Sequence, residues 1–292
     1  MDFGTVITAM VTPMNASGDI DYNKAQELAD HLLKNGSDSL VIAGTTGESP
    51  TLSKEEKLKL FAAILEVTKG RAPMIAGTST YDTAASVELS KKAEALGADA
   101  LLAVTPYYNK PPQEGLFRHF QAIANAVSVP IILYNVPSRT QVNLLPATVK
   151  RLSAIENIVA VKEASGNMAQ VAEIRAITPE DFIIYSGDDA VTLPILKLGG
   201  SGIVSVAGHL VGKEIQEMIA CFNRGELDQA EQLHQRYLPF FQKMFLCANP
   251  IPLKYCLNRV GLPAGPCRLP LCEAESSIQA ELDDLLVEYG LL

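Results

Sequence analysis

The amino-acid sequence predicts an α/β fold, a (β/α)8 TIM barrel followed by a small helical C-terminal extension. Short apolar segments recur along the chain, helical segments alternate with them, and none follows residue 206. The apolar segments are residues 6–11, 40–43, 74–76, 100–104, 131–134, 158–161, 182–185 and 203–206. Because they are apolar at nearly every position, they indicate parallel strands buried on both faces. Eight such alternations favour a closed barrel over an open doubly wound sheet.

The segments between these strands carry helix signals. Ser53 and Glu56 have the spacing of a capping box before an apolar-periodic stretch, and Gly97 follows a helical run as a stop signal. Residues 199–202 (Gly-Gly-Ser-Gly) look like a phosphate loop. They precede the last strand, however, so they are predicted to form a tight turn on the face of the barrel opposite the active site.

Helical periodicity continues from Lys213 to the end of the chain, without a convincing later strand. This pattern predicts a catalytic barrel over residues 1–224 and a helical extension over residues 225–292. No self-similarity beyond the strand–helix alternation suggests a solenoid.

Composition excludes several classes of protein. The 292 residues are 48% hydrophobic and 20% charged, a balance too apolar for a disordered chain. The net charge is −9 and no basic stripe is present, which argues against general nucleic-acid binding. The apolar runs are far shorter than the roughly 18 residues of a membrane span.

The N-terminal residues lack an export signal, so a cytoplasmic location is expected. Five cysteines are present, none in a CxxC pair or at zinc-finger spacing from a histidine. We therefore expect reduced and mostly buried thiols. The cysteines are Cys221, Cys247, Cys256, Cys267 and Cys272.

Lys162 is the most informative single residue. It follows the apolar residues 158–161, so its amine is expected at the C-terminal end of the sixth strand, where barrel enzymes place their chemistry. Partial removal from water would favour a neutral, nucleophilic amine, which can form a Schiff base with a ketone. The alternative is a lysine paired with Glu163 or Asp188. Position alone does not decide between them.

Other strand ends also carry polar groups whose roles the sequence leaves open. Tyr134 can relay a proton, although a buried tyrosine with a satisfied hydroxyl is more common. Thr45 and Thr46 can present hydroxyls and N–H groups to an anion, or simply form a turn. Arg139 suits a carboxylate ligand or a surface ion pair.

A resident metal or dinucleotide is not expected. His31, His119, His209 and His234 show neither i,i+4 spacing nor clustering at strand ends, as a metal-dependent aldolase would require. No GxGxxG motif follows a predicted strand.

Taken together, the strand-end motifs resemble those of the pyruvate-dependent Schiff-base (class I) aldolase family. The likeness runs from Gly4 to Leu271. Its motifs are residues 44–48 (Gly-Thr-Thr-Gly-Glu), 105–111 (Thr-Pro-Tyr-Tyr-Asn-Lys-Pro), 134–140 (Tyr-Asn-Val-Pro-Ser-Arg-Thr), 161–164 (Val-Lys-Glu-Ala) and 249–252 (Asn-Pro-Ile-Pro).

The resemblance implies specific catalytic roles. Lys162 would form the imine with pyruvate, so no further cofactor is expected. Tyr134, Thr45 and Tyr108 would form a proton relay, with Tyr108 contributed by a neighbouring subunit. The protein would therefore be at least a dimer and usually a homotetramer, built as a dimer of dimers.

The resemblance also implies substrate-binding residues. Thr46 and the backbone at Val204 would hold the pyruvate carboxylate, with Gly187 also at the substrate. Arg139 would bind the carboxylate of aspartate semialdehyde, whose condensation with pyruvate leads to diaminopimelate and lysine. Sialic acid lyases and sugar-acid aldolases share the lysine and tyrosine but usually lack Ser-Arg-Thr here. They remain an alternative, as does a non-catalytic barrel.

One departure from the family concerns feedback inhibition by lysine at the dimer interface. Ser49 and Tyr107 match the inhibitor site of sensitive members. Lys57, Tyr81 and Ala85 stand where such members tend to have His, Asn and Glu. Because an acidic partner is lost and a cation is added, we expect weak or absent inhibition by lysine.

Overall fold

The structure, a computed structural model, describes residues 2–262 and 264–292. Within them, eight strands close into a parallel barrel in the order β1 to β8. The strands are β1 (Val6–Ala9), β2 (Ser39–Ile42), β3 (Met74–Gly77), β4 (Ala100–Val104), β5 (Ile131–Asn135), β6 (Ile158–Glu163), β7 (Ile183–Ser186) and β8 (Gly202–Ser205). The (β/α)8 prediction is confirmed, and each predicted strand overlaps an observed one.

Helices occupy the connections and the C-terminal region. They are α1 (Tyr22–Lys34), α2 (Lys54–Thr68), α3 (Thr83–Leu96), α4 (Gln113–Ala124), α5 (Pro137–Thr140), α6 (Pro146–Leu152), α7 (Met168–Ile177), α8 (Thr192–Lys197), α9 (Gly208–Asn223), α10 (Leu227–Lys243), α11 (Ile251–Arg259) and α12 (Ser276–Glu288). In the part of the chain that the structure describes, only helices follow β8, as predicted. None of these helices has the length and apolarity of a membrane span.

The helix boundaries have local chemical causes. Ser53 accepts a hydrogen bond from the Glu56 N–H, and the Glu56 carboxylate accepts one from the Ser53 N–H, completing the predicted capping box of α2. At the end of α3, Gly97 takes a left-handed backbone with φ of 102°. Residues 199–202 connect α8 to β8 as the predicted turn, in which Gly199 has φ of 87°.

Two strands end two residues away from the predicted position. β1 stops at Ala9 instead of residue 11, because the Val11 N–H donates to Nε2 of the buried His209 (3.1 Å). β6 continues to Glu163 beyond the predicted residue 161, and therefore carries Lys162 within the strand. Charged residues at the end of a strand resemble loop residues in sequence, so the apolar pattern does not predict these two strand positions.

The chain divides into two compact units, Met1–Ala72 with Ser205–Leu292, and Pro73–Val204. In the first, α9 packs on α10, and α1 on α2. Its core includes Phe61, Phe240 and Phe241, all fully buried. Burying each such side chain contributes about 1.5–3 kcal/mol. The predicted boundary at residue 224 stays a prediction.

The second unit contains β3 to β7 and most of β8. Its strands are buried on both faces, as the continuous apolar pattern predicted. Phe120 of α4 and Tyr185 of β7 are among its largest buried side chains.

The cysteines are free, but the expectation that most are buried is wrong. Cys221 and Cys256 are buried, Cys247 and Cys267 are partly exposed, and Cys272 is exposed. The last three lie in irregular segments outside the packed faces of helices. Burial raises the pKa of the Cys256 and Cys267 thiols to about 12.

Candidate active site

Lys162 lies in β6 between two tyrosines of neighbouring strands. In the parallel register it stands beside Tyr134 of β5 and Tyr185 of β7. Its Nζ lies 4.3 Å from the centroid of the Tyr134 ring, and the residue is 5% exposed. The strand order thus brings an amine and a phenol together in a site largely removed from water.

The acids flanking Lys162 are engaged elsewhere. Glu163 Oε1 accepts from the Ser165 N–H (2.7 Å), and Oε2 accepts from Asn135 Nδ2 (3.1 Å) and Gln170 Nε2 (3.2 Å). Successive residues of a strand point to opposite faces, which separates Glu163 from the Lys162 amine. Asp188 Oδ1 accepts from the Ala190 N–H (3.0 Å).

Lys162 makes no ion pair within residues 2–262 and 264–292. The pairing with Glu163 or Asp188 that the sequence left open is therefore not formed. This arrangement suits attack on a carbonyl carbon.

Gly187, just beyond β7, makes room for the Lys162 side chain. A Cβ added at this glycine would lie 3.2 Å from Lys162 Cε and 2.6 Å from Ala164 Cβ. A larger residue would therefore clash with Ala164 and crowd the Lys162 side chain. Val204, the other predicted backbone contact in this unit, is fully buried in β8.

Arg139 lies on the short helix α5, directly after β5. Pro137 begins this helix, and Thr140 Oγ1 closes it by donating to the Val142 carbonyl (2.9 Å). Arg139 is exposed and makes no ion pair among the described residues. Its guanidinium is therefore available to a carboxylate ligand.

Tyr108 is distinguished by its exposure and its backbone. It is 89% exposed and has a left-handed φ of 72°, which is uncommon for a bulky residue. The adjacent Tyr107 is half-buried and packs edge-to-face on Tyr81 with ring centroids 5.3 Å apart.

The other predicted site residues belong to residues 44–48, here called the threonine loop, in the first unit. Thr45 is half-buried, and its carbonyl accepts from the Glu48 N–H (3.0 Å). Thr46 is buried, and its Oγ1 accepts from Asn249 Nδ2 (3.0 Å). A Cβ at Gly47 would lie 3.1 Å from the Met10 carbonyl, so a larger residue there would require the backbone to shift by a few tenths of an ångström.

Two sets of polar residues around these groups were not predicted. One is the amide set that surrounds Glu163, in which Asn143 Nδ2 also donates to Gln170 Oε1 (2.8 Å). The other comes from the C-terminal region, where Asn249 and Lys254 contact the threonine loop. The signal available for Lys254 was a charged residue inside an otherwise buried stretch of helix.

Barrel and side chains together define a (β/α)8 enzyme with a buried lysine at a strand end, for which the described part of the chain supplies no ion-pair partner. The model of the "Dihydrodipicolinate synthetase family" matches residues 2–289. The chain belongs to this family, and it is a lyase with a TIM-barrel fold.

Three similar proteins illustrate the relationship. A protein of Heliobacterium modesticaldum named 4-hydroxy-tetrahydrodipicolinate synthase is 55% identical, with 100% of this chain and 97% of the relative covered. The crystal structure of the synthase from Cyanidioschyzon merolae with lysine bound has a TM-score of 0.98 and 48% identity, covering 99% of each chain. A variant described as the first monomeric dihydrodipicolinate synthase has a TM-score of 0.96 and 39% identity, covering 99% of this chain and 98% of its own.

Proposed function

We propose that this chain is a 4-hydroxy-tetrahydrodipicolinate synthase, which condenses pyruvate with L-aspartate 4-semialdehyde in diaminopimelate and lysine biosynthesis. The full-length identity of 55% to a relative of that name supports the reaction. The observation that carries the mechanism is the buried Lys162 amine beside Tyr134, with both flanking acids engaged by other groups.

The proposed reaction begins with attack of the Lys162 amine on the keto carbon of pyruvate. Water leaves as the imine forms, and loss of a methyl proton gives the enamine, which attacks the aldehyde carbon of the second substrate. The amino group of that substrate then displaces Lys162 as the ring closes, which regenerates the free lysine. Each step needs proton transfer, and we assign it to Tyr134 with Thr45 and Tyr108.

Substrate carboxylates are proposed to bind at two places. Thr46, Gly187 and the Val204 backbone would hold pyruvate, and Arg139 would hold aspartate semialdehyde. The guanidinium of Arg139 is exposed and has no ion-pair partner in residues 2–262 and 264–292, which supports the second assignment. The assignments of Thr45 and Thr46 rest on the sequence motif. The reaction as proposed needs no cofactor, because the imine forms on Lys162 itself. A cytoplasmic location stays a prediction.

Tyr108 supports the proposal of an assembly with at least two copies, in which each copy supplies this residue to its neighbour. An aromatic side chain with 89% exposure gains most of its contacts only when another surface covers it. We propose a homotetramer, a dimer of dimers. Sedimentation equilibrium measures the mass, and a monomer that retains full activity would overturn the shared-residue proposal.

A weak response to lysine is part of the same proposal. Lys57 is buried, and burial lowers its pKa to about 8, so a large share of this side chain carries charge at neutral pH. A cation at this position opposes a cationic inhibitor. Initial rates at increasing lysine concentration test this, and inhibition at micromolar lysine would contradict it.

The aldehyde specificity tests the function itself. The synthase should have a kcat/KM for aspartate semialdehyde at least about a hundredfold above that for a sugar aldehyde, because Arg139 recognises a carboxylate that the sugar lacks. A preference for the sugar aldehyde would identify a sister aldolase. Absence of turnover with either aldehyde would favour a non-catalytic barrel.

A further inference from the structure

Asn249 forms a hydrogen bond with the hydroxyl of Thr46, although the two residues are 203 positions apart in the chain. It lies just before α11, and its Nδ2 donates to Thr46 Oγ1 at 3.0 Å. Both side chains are buried. Within the described residues this is the only hydrogen bond of the Asn249 side chain.

The direction of this bond decides what the Thr46 hydroxyl can do. A hydroxyl has one proton to donate and two lone pairs that accept. An amide N–H that donates to the oxygen occupies a lone pair and leaves the proton for another acceptor. An ionised carboxylate only accepts hydrogen bonds, so this is the state of Thr46 that a carboxylate ligand requires.

We propose that Asn249 is a positioning residue that keeps the Thr46 proton available to the carboxylate of pyruvate. The inference rests on the proposed function, because it takes Thr46 as a pyruvate ligand. It adds that Asn249, a residue of the 249–252 motif to which the sequence assigned no role, sets the direction of this hydrogen bond.

A second contact fixes the same loop to the same region. Glu48 ends the threonine loop with a left-handed φ of 57°, and its Oε1 lies 2.6 Å from Lys254 Nζ on α11. Its Oε2 accepts from the Arg268 N–H (2.8 Å), and Lys254 also donates to the Pro266 carbonyl (2.8 Å). Because both ends of the contact are buried and charged, the backbone around Thr46 has little freedom to move. The Thr46–Asn249 distance is therefore held by the fold.

The substitution Asn249→Asp tests the proposal, because it replaces the donor by an acceptor of the same shape. The Thr46 hydroxyl then donates to the new carboxylate and no longer to substrate. We expect KM for pyruvate to rise about 10- to 100-fold, as for the loss of a hydrogen bond to a charged group, with a smaller change in kcat. Asn249→Ala, which removes the donor without adding charge, is expected to raise KM about 3- to 10-fold.

Two controls separate positioning from a general structural effect. Asn258→Asp makes the same change on α11 at a residue whose side chain, among the described residues, bonds Gly265 alone, and should leave KM unchanged. In a Thr46→Val background, Asn249→Ala, which adds no charge that could repel pyruvate, should raise KM by less than about twofold, since its target hydroxyl is gone. Circular dichroism melting of each variant shows whether it is folded.

The proposal is overturned if folded Asn249→Asp and Asn249→Ala enzymes keep the wild-type KM, or if the increase is as large without the Thr46 hydroxyl. Failure of the proposed function looks different. In that case the wild-type protein itself does not condense pyruvate with aspartate semialdehyde, whichever residue stands at position 249.

Discussion

Lys162 and Lys254 are both almost fully buried lysines, yet their surroundings differ in the one respect that matters for chemistry. Lys254 is paired with Glu48 at 2.6 Å and donates to a carbonyl, so its charge is neutralised inside the protein. Lys162 has an aromatic ring beside it and no carboxylate partner among the described residues. Burial alone therefore does not distinguish the two lysines, whereas the presence of a carboxylate partner does.

The residues around Lys162 explain why it has no carboxylate partner in the part of the chain that the structure describes. The adjacent Glu163 could compete for the amine, but Asn135, Gln170 and the Ser165 N–H satisfy its oxygens. Neutral donors thus hold a buried carboxylate next to the proposed nucleophile without adding a second cation. Glu48, in contrast, is neutralised directly by the ammonium group of Lys254.

The largest expected effect comes from Lys162→Met, which removes the amine and keeps an unbranched side chain. We expect kcat/KM to fall by about four orders of magnitude, equivalent to about 5 kcal/mol, because no imine can form. Urea unfolding should show little loss of stability, since no ion pair is broken. Activity within tenfold of wild type would exclude Lys162 as the nucleophile.

The matched change Lys254→Met should mainly lower stability, whereas Lys162→Met should mainly lower activity. It leaves the Glu48 carboxylate buried without its cation, and we expect the free energy of unfolding to fall by about 3–5 kcal/mol. The double variant Glu48→Gln/Lys254→Met should recover most of that loss. A single variant that costs less than about 1 kcal/mol would show that the pair is not held as described.

Glu163→Gln tests the carboxylate beside Lys162. The new amide NH2 would oppose one of the donors from Asn135, Gln170 or the Ser165 N–H, at an expected cost of about 1–3 kcal/mol. No buried charge is left without a partner, so the loss of unfolding free energy should be smaller than that of Lys254→Met in the same urea titration. An equal or larger loss would contradict this ranking.

Lowering the pH should reduce the free energy of unfolding through one buried histidine in each unit. Each of these effects should be smaller than those of the substitutions above. Burial lowers the pKa of His209 in the first unit and of His119 in the second to about 4. Between about pH 6.5 and 4 the unfolded chain binds more protons than the folded one, so stability falls as pH falls. Each histidine should remove about 1 kcal/mol between pH 7.5 and 5.5. Urea titrations of His119→Gln should show a flatter profile than wild type; an unchanged slope would contradict it.

The sequence predicted the fold because continuous apolar segments mark the buried strands. The same pattern predicted the place of Lys162 at the end of β6, where the structure has it, and its role as nucleophile stays a prediction. The contacts that distinguish the two lysines could not be predicted this way. Asn249 and Lys254 lie about 200 residues from the threonine loop, and only the folded chain brings them to it. The early end of β1 has the same cause, since its Val11 N–H is taken by the distant His209.

The most direct test of the account is reduction of the pyruvate imine with borohydride, followed by peptide mass mapping. Incubation of the wild-type protein with pyruvate and borohydride should add a stable mass to the peptide that contains Lys162 and none to the peptide that contains Lys254. The Lys162→Met variant should show no adduct. No adduct on the wild type, or an adduct on Lys254 or another lysine, would contradict the assignment of Lys162 as the Schiff-base residue.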